Sequence, residues 1–345
     1  LVGMHRGAYS AFAFEIGTAL KLGAENEIMV KADNASRPDV IPVNHNLFGV
    51  YGGIYRPVWL EVVPAVSMEH FILDARADGS LRASVRTTGN AEGHVLAVSI
   101  RELKDGKPLR TLQGKEQVSC PLATFGRETE FTSKWSDVKV WNTEAPELYV
   151  ARLELKDRSG NVIQVREERI GFRTIEFFPQ DGIYLNGTRL IVKGINRHSF
   201  SVDGGRTTSA AMSRQDALLI KEMNMNAVRS HYPPDKHFLE ICDSLGIFYL
   251  NELAGWQNSY DTETGLKLLS EMINRDVNHP CIFMWSNGNE GGWNKNIDAH
   301  FADYDPQKRH VIHPWADFDE LDTHHYPAYL TGVARFTNGY KVFMP

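Results

Sequence analysis

From residue 1 to about 64, apolar and polar residues alternate in short runs: Ala11-Phe12-Ala13-Phe14, Glu27-Ile28-Met29-Val30-Lys31 and Pro57-Val58-Trp59-Leu60-Glu61-Val62. Gly, Asn and Pro separate the runs, and period-two alternation between such breakers predicts strands. Residues 1–64 are therefore expected to form part of a β-sandwich whose beginning lies elsewhere. The alternation continues over 65–175, in runs such as Leu81-Arg82-Ala83-Ser84-Val85 and Tyr149-Val150-Ala151-Arg152-Leu153-Glu154-Leu155. Turn signals at Asp105-Gly106 and Ser159-Gly160-Asn161 fall near the spacing of an immunoglobulin-like sandwich. No helix-period segment interrupts this second all-β domain, which is expected to end near Gly171-Phe172-Arg173.

After residue 178 the texture changes. Strands now alternate with helical stretches, the first starting at the capping-type Ser213-Arg214-Gln215-Asp216 ahead of Ala217-Leu218-Leu219-Ile220. Candidate strands are 190–194, 227–230, 247–251, 282–286, 310–313, 322–325 and 341–344. Their βα order predicts a (β/α)₈ barrel over 176–345, with the helix between the fifth and sixth strands lost or reduced, since the gap there is short for a crossover. The roughly 170 residues fall short of the ~250 typical of such a barrel, and an eighth strand is absent. The expected whole is a multidomain fragment lacking both ends.

Composition narrows the function classes. Hydrophobic residues at 42% and charged residues at 23% of 345 are ordinary for a globular chain. A net charge of −6 provides no basic stripe for phosphates, so nucleic acid is not an expected partner. No 18-residue apolar run offers a membrane-spanning helix. Cys120, Cys242 and Cys281 are widely spaced and odd in number, and form neither a metal box nor a disulfide framework. The first residues lack the pattern of a signal peptide, so the compartment is left open, periplasmic or secreted locations included, and so is homo-oligomerisation.

In such barrels the reacting groups project from the C-terminal ends of the strands. Here those ends carry Asn196-Arg197-His198, Arg229-Ser230-His231-Tyr232, Asn251-Glu252, Trp285-Ser286-Asn287-Gly288-Asn289-Glu290 and His324-His325-Tyr326. So many polar strand ends in succession are hard to explain by packing. Glu290, flanked by Gly288, Gly291 and Gly292, has room for a ligand; beside Trp285 in a partly dry cleft its pKa should be raised, as a general acid requires. The competing reading, the less favoured of the two, makes it the cap of a following helix. His198 and His231 fit either buried structural histidines or ligand contacts. Arg229 is either a structural ion-pair partner or the charge that keeps a catalytic carboxylate ionised, and Glu252 is open between the same two kinds of role. Trp256, Trp285, Trp293, Trp315 and Tyr326 cluster in the loops of the barrel half, where aromatic faces stack on sugar rings or fill barrel rims.

These residues sit in a recognisable series. Val192-Lys193-Gly194-Ile195-Asn196-Arg197-His198, Asn226-Ala227-Val228-Arg229-Ser230-His231-Tyr232-Pro233, Cys242-Asp243-Ser244-Leu245-Gly246-Ile247 and Asn274-Arg275-Asp276-Val277-Asn278-His279-Pro280, followed by the Trp285–Glu290 run, resemble glycoside hydrolase family 2 in the family's order. The resemblance extends back through Gly171-Phe172-Arg173 to Tyr51-Gly52-Gly53-Ile54-Tyr55-Arg56 and covers nearly the whole chain. It implies a sugar-binding jelly roll over 1–64, and hydrolysis of terminal β-linked sugars with retention, by two carboxyl groups about 5–5.5 Å apart. Glu290 matches the family's acid/base and Asn289 the neighbour that binds the sugar 2-hydroxyl. Arg229, His231 and His198 match residues of the innermost subsite, and Glu252 matches an acidic residue beside the catalytic pair. Trp285, His325 and Tyr326 complete the expected substrate-binding set. The family nucleophile, a Glu at the end of strand seven, would lie just past Pro345, so the chain by itself is expected to be inactive.

Three departures bear on substrate. Ala254 stands where β-galactosidases carry a metal-ligating His, so no magnesium or other cofactor is expected. Leu47, next to Asn46, stands where a sugar-contacting Asp is found, and Ser199 follows His198 in place of an acidic residue. The Asn287–Glu290 and Asn196-Arg197-His198 runs are more similar to β-galactosidases than to β-glucuronidases. The resemblance thus implies a β-D-galactosidase acting on carbohydrate, with β-glucuronidase or β-mannosidase as alternatives. A non-catalytic carbohydrate-binding protein and a purely structural barrel fragment are the competing readings.

Overall fold

The computed structural model describes residues 1–35, 37, 39–40, 51–123, 128–178, 180–319, 321–328, 330 and 342–344. Between Val66 and Arg173 the alternating runs form two facing sheets. One sheet holds β1 (Ser67–Ala75), β2 (Ser80–Thr88) and β5 (Glu128–Lys134). The other holds β3 (Val95–Glu102), β4 (Gln117–Pro121), β6 (Tyr149–Lys156) and β7 (Val162–Ile170) in the order β4-β3-β6-β7. All pairings are antiparallel. Leu81, Ala83 and Val85 of β2 and Ala151, Leu153 and Leu155 of β6 face inward with Leu96, Val98, Trp135 and Phe172, while Arg82 and Arg86 face water. This is the alternation a half-buried strand requires.

The joint to the barrel is built from hydrogen bonds. Asn278 accepts from the Leu73 amide at 2.8 Å and donates to the Phe71 carbonyl, and Trp141 Nε1 donates to the Asp243 carbonyl at 2.8 Å. Arg173, buried, donates to the carbonyls of Pro280 and Ile282. An antiparallel sheet of β8 (Ile175–Phe178), β9 (Gly182–Leu185) and β10 (Thr188–Leu190) follows the sandwich. Leu190 therefore belongs to this sheet, pairing with Ile183, and the first barrel strand begins at Gly194, later than the pattern predicts.

Five strands then run parallel and adjacent: β11 (Gly194–Asn196), β12 (Ala227–Arg229), β13 (Phe248–Glu252), β14 (Ile282–Ser286) and β15 (Val311–Ile312). Helices α1 (Ala210–Glu222), α2 (Lys236–Leu245) and α3 (Thr262–Asp276) supply the crossovers, and α4 (Phe301–Tyr304) is short. The first helix starts earlier than expected because Ser209, not Ser213, is its cap, its hydroxyl accepting from the Met212 amide at 3.2 Å. Gly246 ends α2 at φ 66°, where a Cβ would stand 2.5 Å from the Thr143 carbonyl oxygen. After β15 no helix intervenes among the described residues; β16 (Asp317–Phe318) turns back on β17 (Leu321–Asp322), which pairs in parallel with β18 (Val342–Phe343). Among the described residues no ladder joins β15 to β17, and the barrel is not a closed cylinder.

The jelly roll expected over 1–64 differs most. Its described residues form no strand, only a 3₁₀ turn at Gly17–Ala19. A strand needs a partner ladder for its N–H and C=O groups, and none of the described strands lies beside these runs; Val58, Trp59 and Val62 are 73%, 70% and 100% exposed. Asn46 and Leu47 lie outside the described residues. The segment nonetheless lies against the barrel: Tyr9 stacks on Tyr232 at 4.4 Å, Arg56 pairs with Asp235 at 2.9 Å and His5 with Glu271 at 2.8 Å. Among the described residues no helix is long and apolar enough to cross a membrane.

Candidate active site

Side chains alternate across a strand, and that parity decides which strand-end residues enter the barrel. On β13, Glu252 points inward, while its neighbour Asn251 points out and donates to Asp276 of α3 at 2.7 Å. On β14, Ser286 points inward and donates to Glu252 Oε2 at 2.8 Å. Trp285 consequently faces outward: it is fully buried, its Nε1 donating to Asp305 Oδ2 at 2.8 Å and its ring lying under the Arg309 guanidinium. The expected substrate contact through Trp285 is therefore corrected; it is a core residue behind the site.

Arg229, at the end of β12, ties the inward groups together. Its Nε and Nη2 donate to Glu252 Oε2 at 2.9 and 2.7 Å, and Nη2 also donates to Asn289 Oδ1 at 2.8 Å. Glu252 is fully enclosed. Burial raises its pKa and Glu290 adds to the rise, while Arg229 and Ser286 oppose it; the net direction is upward. Its place is against Arg229 and Ser286, not on the open surface of the cleft.

Glu290 stands at φ 45°, and its amide donates to the Pro314 carbonyl at 3.2 Å. The glycines around it serve close backbone approach: a Cβ on Gly288 would lie 2.5 Å from the Gly292 oxygen, and one on Gly255 2.3 Å from the same atom. This draws the loop after β13 against the Glu290 loop, where Asn289 N donates to the Gly255 carbonyl at 2.7 Å. Trp256 thereby reaches Glu290, its Nε1 donating to Oε2 at 2.9 Å, and His325 Nδ1 lies 2.9 Å from Oε1. No helix follows Glu290 directly, so it is not a helix cap; the next element is the 3₁₀ segment Lys295–His300.

The expected rise in the Glu290 pKa is also corrected. Burial pushes it up, but the hydrogen bonds from His325 and Trp256, with the electrostatic attraction of His325 and Arg229, outweigh burial and the net direction is down. Trp256, not Trp285, is the neighbour, and it donates a hydrogen bond to the carboxylate as well as excluding water.

His198 and His231 stack in parallel at 4.9 Å and 10°, with His198 Nδ1 3.1 Å from the Tyr232 hydroxyl. Burial, followed by the Arg229 charge, pushes His231 down to about 2, and burial lowers His198, so both rings are neutral at pH 7. Tyr326 is 90% exposed at the rim, edge-on to His325 at 5.9 Å. The structure thus brings together Arg229, Glu252, Asn289, Glu290 and His325, stacks His198 on His231, leaves Tyr326 outside and puts Trp285 behind. Trp256, named in the sequence only as one of several aromatics, is the residue missed; its position four residues past the inward-facing Glu252, on the loop leaving that strand end, was the available signal.

Beside Glu252 the described residues offer a divalent cation little, although its Oε1 has no hydrogen-bond partner. Ala254 offers no ligand atom, and Oε2 of Glu252 is held by a guanidinium. Asp243, His279 and Cys281 form a second cluster of potential ligands, all buried. They bond to one another instead: His279 Nδ1 lies 2.6 Å from Asp243 Oδ2, and the Cys281 amide donates to Oδ1 at 3.0 Å.

A barrel half on a β-sandwich, with ionisable carboxyl groups and fixed donors at its strand ends, defines a modular barrel protein equipped for acid–base chemistry. The chain belongs to glycoside hydrolase family 2. Residues 66–173 match the pattern described as "Glycosyl hydrolases family 2" and 179–311 the one described as "Glycosyl hydrolases family 2, TIM barrel domain". It is 33% identical over 303 residues to a putative beta-glucuronidase of Formosa agariphila, covering 84% of this chain and 35% of that one. It is 31% identical over 326 residues to a beta-galactosidase of Thermoanaerobacter pseudethanolicus, covering 90% and 42%. Among solved structures, a putative beta-galactosidase from Bacteroides fragilis superposes with TM-score 0.74 at 30% identity, over 91% of this chain and 50% of that one. A Parabacteroides merdae beta-glucuronidase superposes with TM-score 0.79 at 22% identity, covering 99% and 48%, which speaks to the fold. The chain spans less than half the length of these curated relatives.

Proposed function

We propose that this chain carries the acid/base half of the active site of a retaining exo-β-glycosidase acting on terminal β-D-galactosides. The observation that carries the reading is the Glu290 carboxyl group, held at its two oxygens by Trp256 and His325 at the mouth of the Arg229–Glu252–Asn289 network. In this role Glu290 donates a proton to the glycosidic oxygen and then takes one from water. Arg229 occupies Asn289 Oδ1, which leaves the amide N–H group of Asn289 for the sugar 2-hydroxyl. His198 and His231, neutral, serve as hydrogen-bonding walls of the innermost subsite, and Tyr326 as a rim contact. Glu252 fixes Arg229. The nucleophile is a second carboxylate outside the described residues, ~5–5.5 Å from Glu290. Its negative charge, together with water excluded by the sugar, raises the Glu290 pKa when substrate binds, reversing the direction of the empty site.

A β-glucuronide is the second reading, favoured by the 33% identity to a putative beta-glucuronidase. Hydrolysis of p-nitrophenyl β-D-galactoside, β-D-glucuronide and β-D-mannoside by the full-length gene product tests both. Cleavage of the galactoside with retention is expected; cleavage of the glucuronide alone replaces the first reading by the second. Binding of all three sugars with hydrolysis of none would leave a carbohydrate-binding protein.

His325 gives a pH prediction. Burial lowers its own pKa, so near pH 7 it is a neutral donor to Glu290 and favours the ionised carboxylate. In His325→Ala the Glu290 pKa rises, and since the acid must be protonated to act, the basic limb of kcat/KM moves to higher pH. An unmoved limb would show that this hydrogen bond does not tune the acid.

A further inference from the structure

At the opposite end of the barrel strands from Glu290, where the sandwich meets the barrel, lies a small cavity of about 130 Å³ lined by Arg76, Arg173, Lys308, Arg309 and His310 together with Gln307 and apolar walls. No carboxylate lines it. Three of these side chains have acidic partners: Arg76 pairs with Asp74 at 2.7 Å and Arg309 with Asp305 at 3.3 Å, and the His310 ring lies 2.6 Å from Asp319. Asp305 is shared, since the same Oδ2 also accepts from Trp285. Arg173 and Lys308 have no acidic partner among the described residues.

Arg173 is the telling group. It is 2% exposed, and its bonds go to the Pro280 and Ile282 carbonyls and to Gln307 Oε1, all uncharged acceptors. A buried guanidinium keeps its charge, and neutral acceptors offset its desolvation cost less than a charge of opposite sign would. Burial, then repulsion from Arg309, push its pKa down, the direction of an under-compensated cation. Arg309 adds a buried Nε donor with no acceptor. A cleft with two unpaired cations, an unused donor and no acid of its own is electrostatically shaped for an anion.

We propose that this cleft binds a free tetrahedral oxyanion, phosphate or sulfate, through Arg173, Lys308 and Arg309, and that the ion closes the charge at the joint between sandwich and barrel. The volume suits an ion of that size and falls well below the ~300–1,000 Å³ of sites for organic ligands. The site is remote from Glu290 and independent of the substrate the protein acts on.

The test is the melting temperature of the full-length gene product against inorganic phosphate and, separately, sulfate, at ionic strength held constant with potassium chloride. A ligand that binds only the folded state raises the transition with its concentration. The expected result is a saturable rise for both oxyanions. Lys308→Gln, on an exposed side chain, should move the half-saturating concentration up about tenfold for the loss of one charge-assisted contact. Titration calorimetry with inorganic phosphate should show the same shift. A rise that chloride alone reproduces, or that Lys308→Gln leaves unchanged, overturns the site.

Discussion

Glu290→Gln in the full-length gene product should lower kcat/KM on an alkyl or disaccharide β-glycoside by roughly 10²–10⁴-fold, the usual contribution of a positioned general acid. The expected loss on a 2,4-dinitrophenyl glycoside is far smaller. The contrast follows from where the proton goes. A sugar or alkoxide leaves poorly unless its oxygen is protonated as the bond breaks, whereas dinitrophenolate needs no proton. The variant keeps the shape of the group and an oxygen to accept from Trp256, so the circular dichroism spectrum and melting temperature should stay close to those of the parent. A general acid is thus separated from a group that merely binds: removal of a binding contact lowers kcat/KM for both leaving groups together. Equal losses on the two substrates would sink the acid/base assignment while leaving the family membership untouched.

The parts of the fold legible in the sequence are those where one residue pattern has one packing solution. The strands 80–88 and 149–156 read correctly because Leu81, Ala83 and Val85, and Ala151, Leu153 and Leu155, alternate with polar neighbours across a sandwich core. The barrel strands 248–252 and 282–286 also read correctly, because they are continuous apolar runs ending in polar groups, whereas the first barrel strand lies later than its pattern suggests. The strands that alternation predicts over 1–64 are not formed by the described residues there, since a strand also needs a pairing partner, which alternation within one segment does not reveal. The start of α1 was misplaced because Ser209 and Ser213 both look like caps, and only the bond to Met212 distinguishes them. In the cleft, the strand-end rule singled out Arg229, Glu252, Asn289 and Glu290, residues that the structure puts next to one another. It misjudged Trp285 by ignoring parity: Ser286 faces Glu252, so the residue before it must face the helices. The direction of the Glu290 pKa was illegible for a related reason, since it depends on His325 and Trp256, 35 and 34 residues away in sequence.

The largest stability loss is expected for Asp243→Ala, at the joint beneath the barrel and away from the Glu290 site. Asp243 and His279 are both buried, and the carboxylate accepts from the His279 ring and from the Cys281 amide. Burial alone would discharge His279, yet the charge and hydrogen bond of Asp243 hold its pKa above the ordinary value. Removing Asp243 leaves a buried ring without its counter-charge and a buried amide without an acceptor, a change that typically costs about 3–5 kcal/mol. At roughly 2 °C per kcal/mol for a chain this long, the melting temperature should fall by about 6–10 °C. The loss should also depend on pH in one sense only. A histidine with a raised folded-state pKa contributes stability that is fully present below its unfolded value near 6.5 and fades as pH climbs through the folded value. The gap between parent and variant should therefore be widest near pH 6 and narrower at pH 9. Parallel melting-temperature profiles across that range would mean that His279 is uncharged in the folded protein and that the pair is held by the hydrogen bond alone.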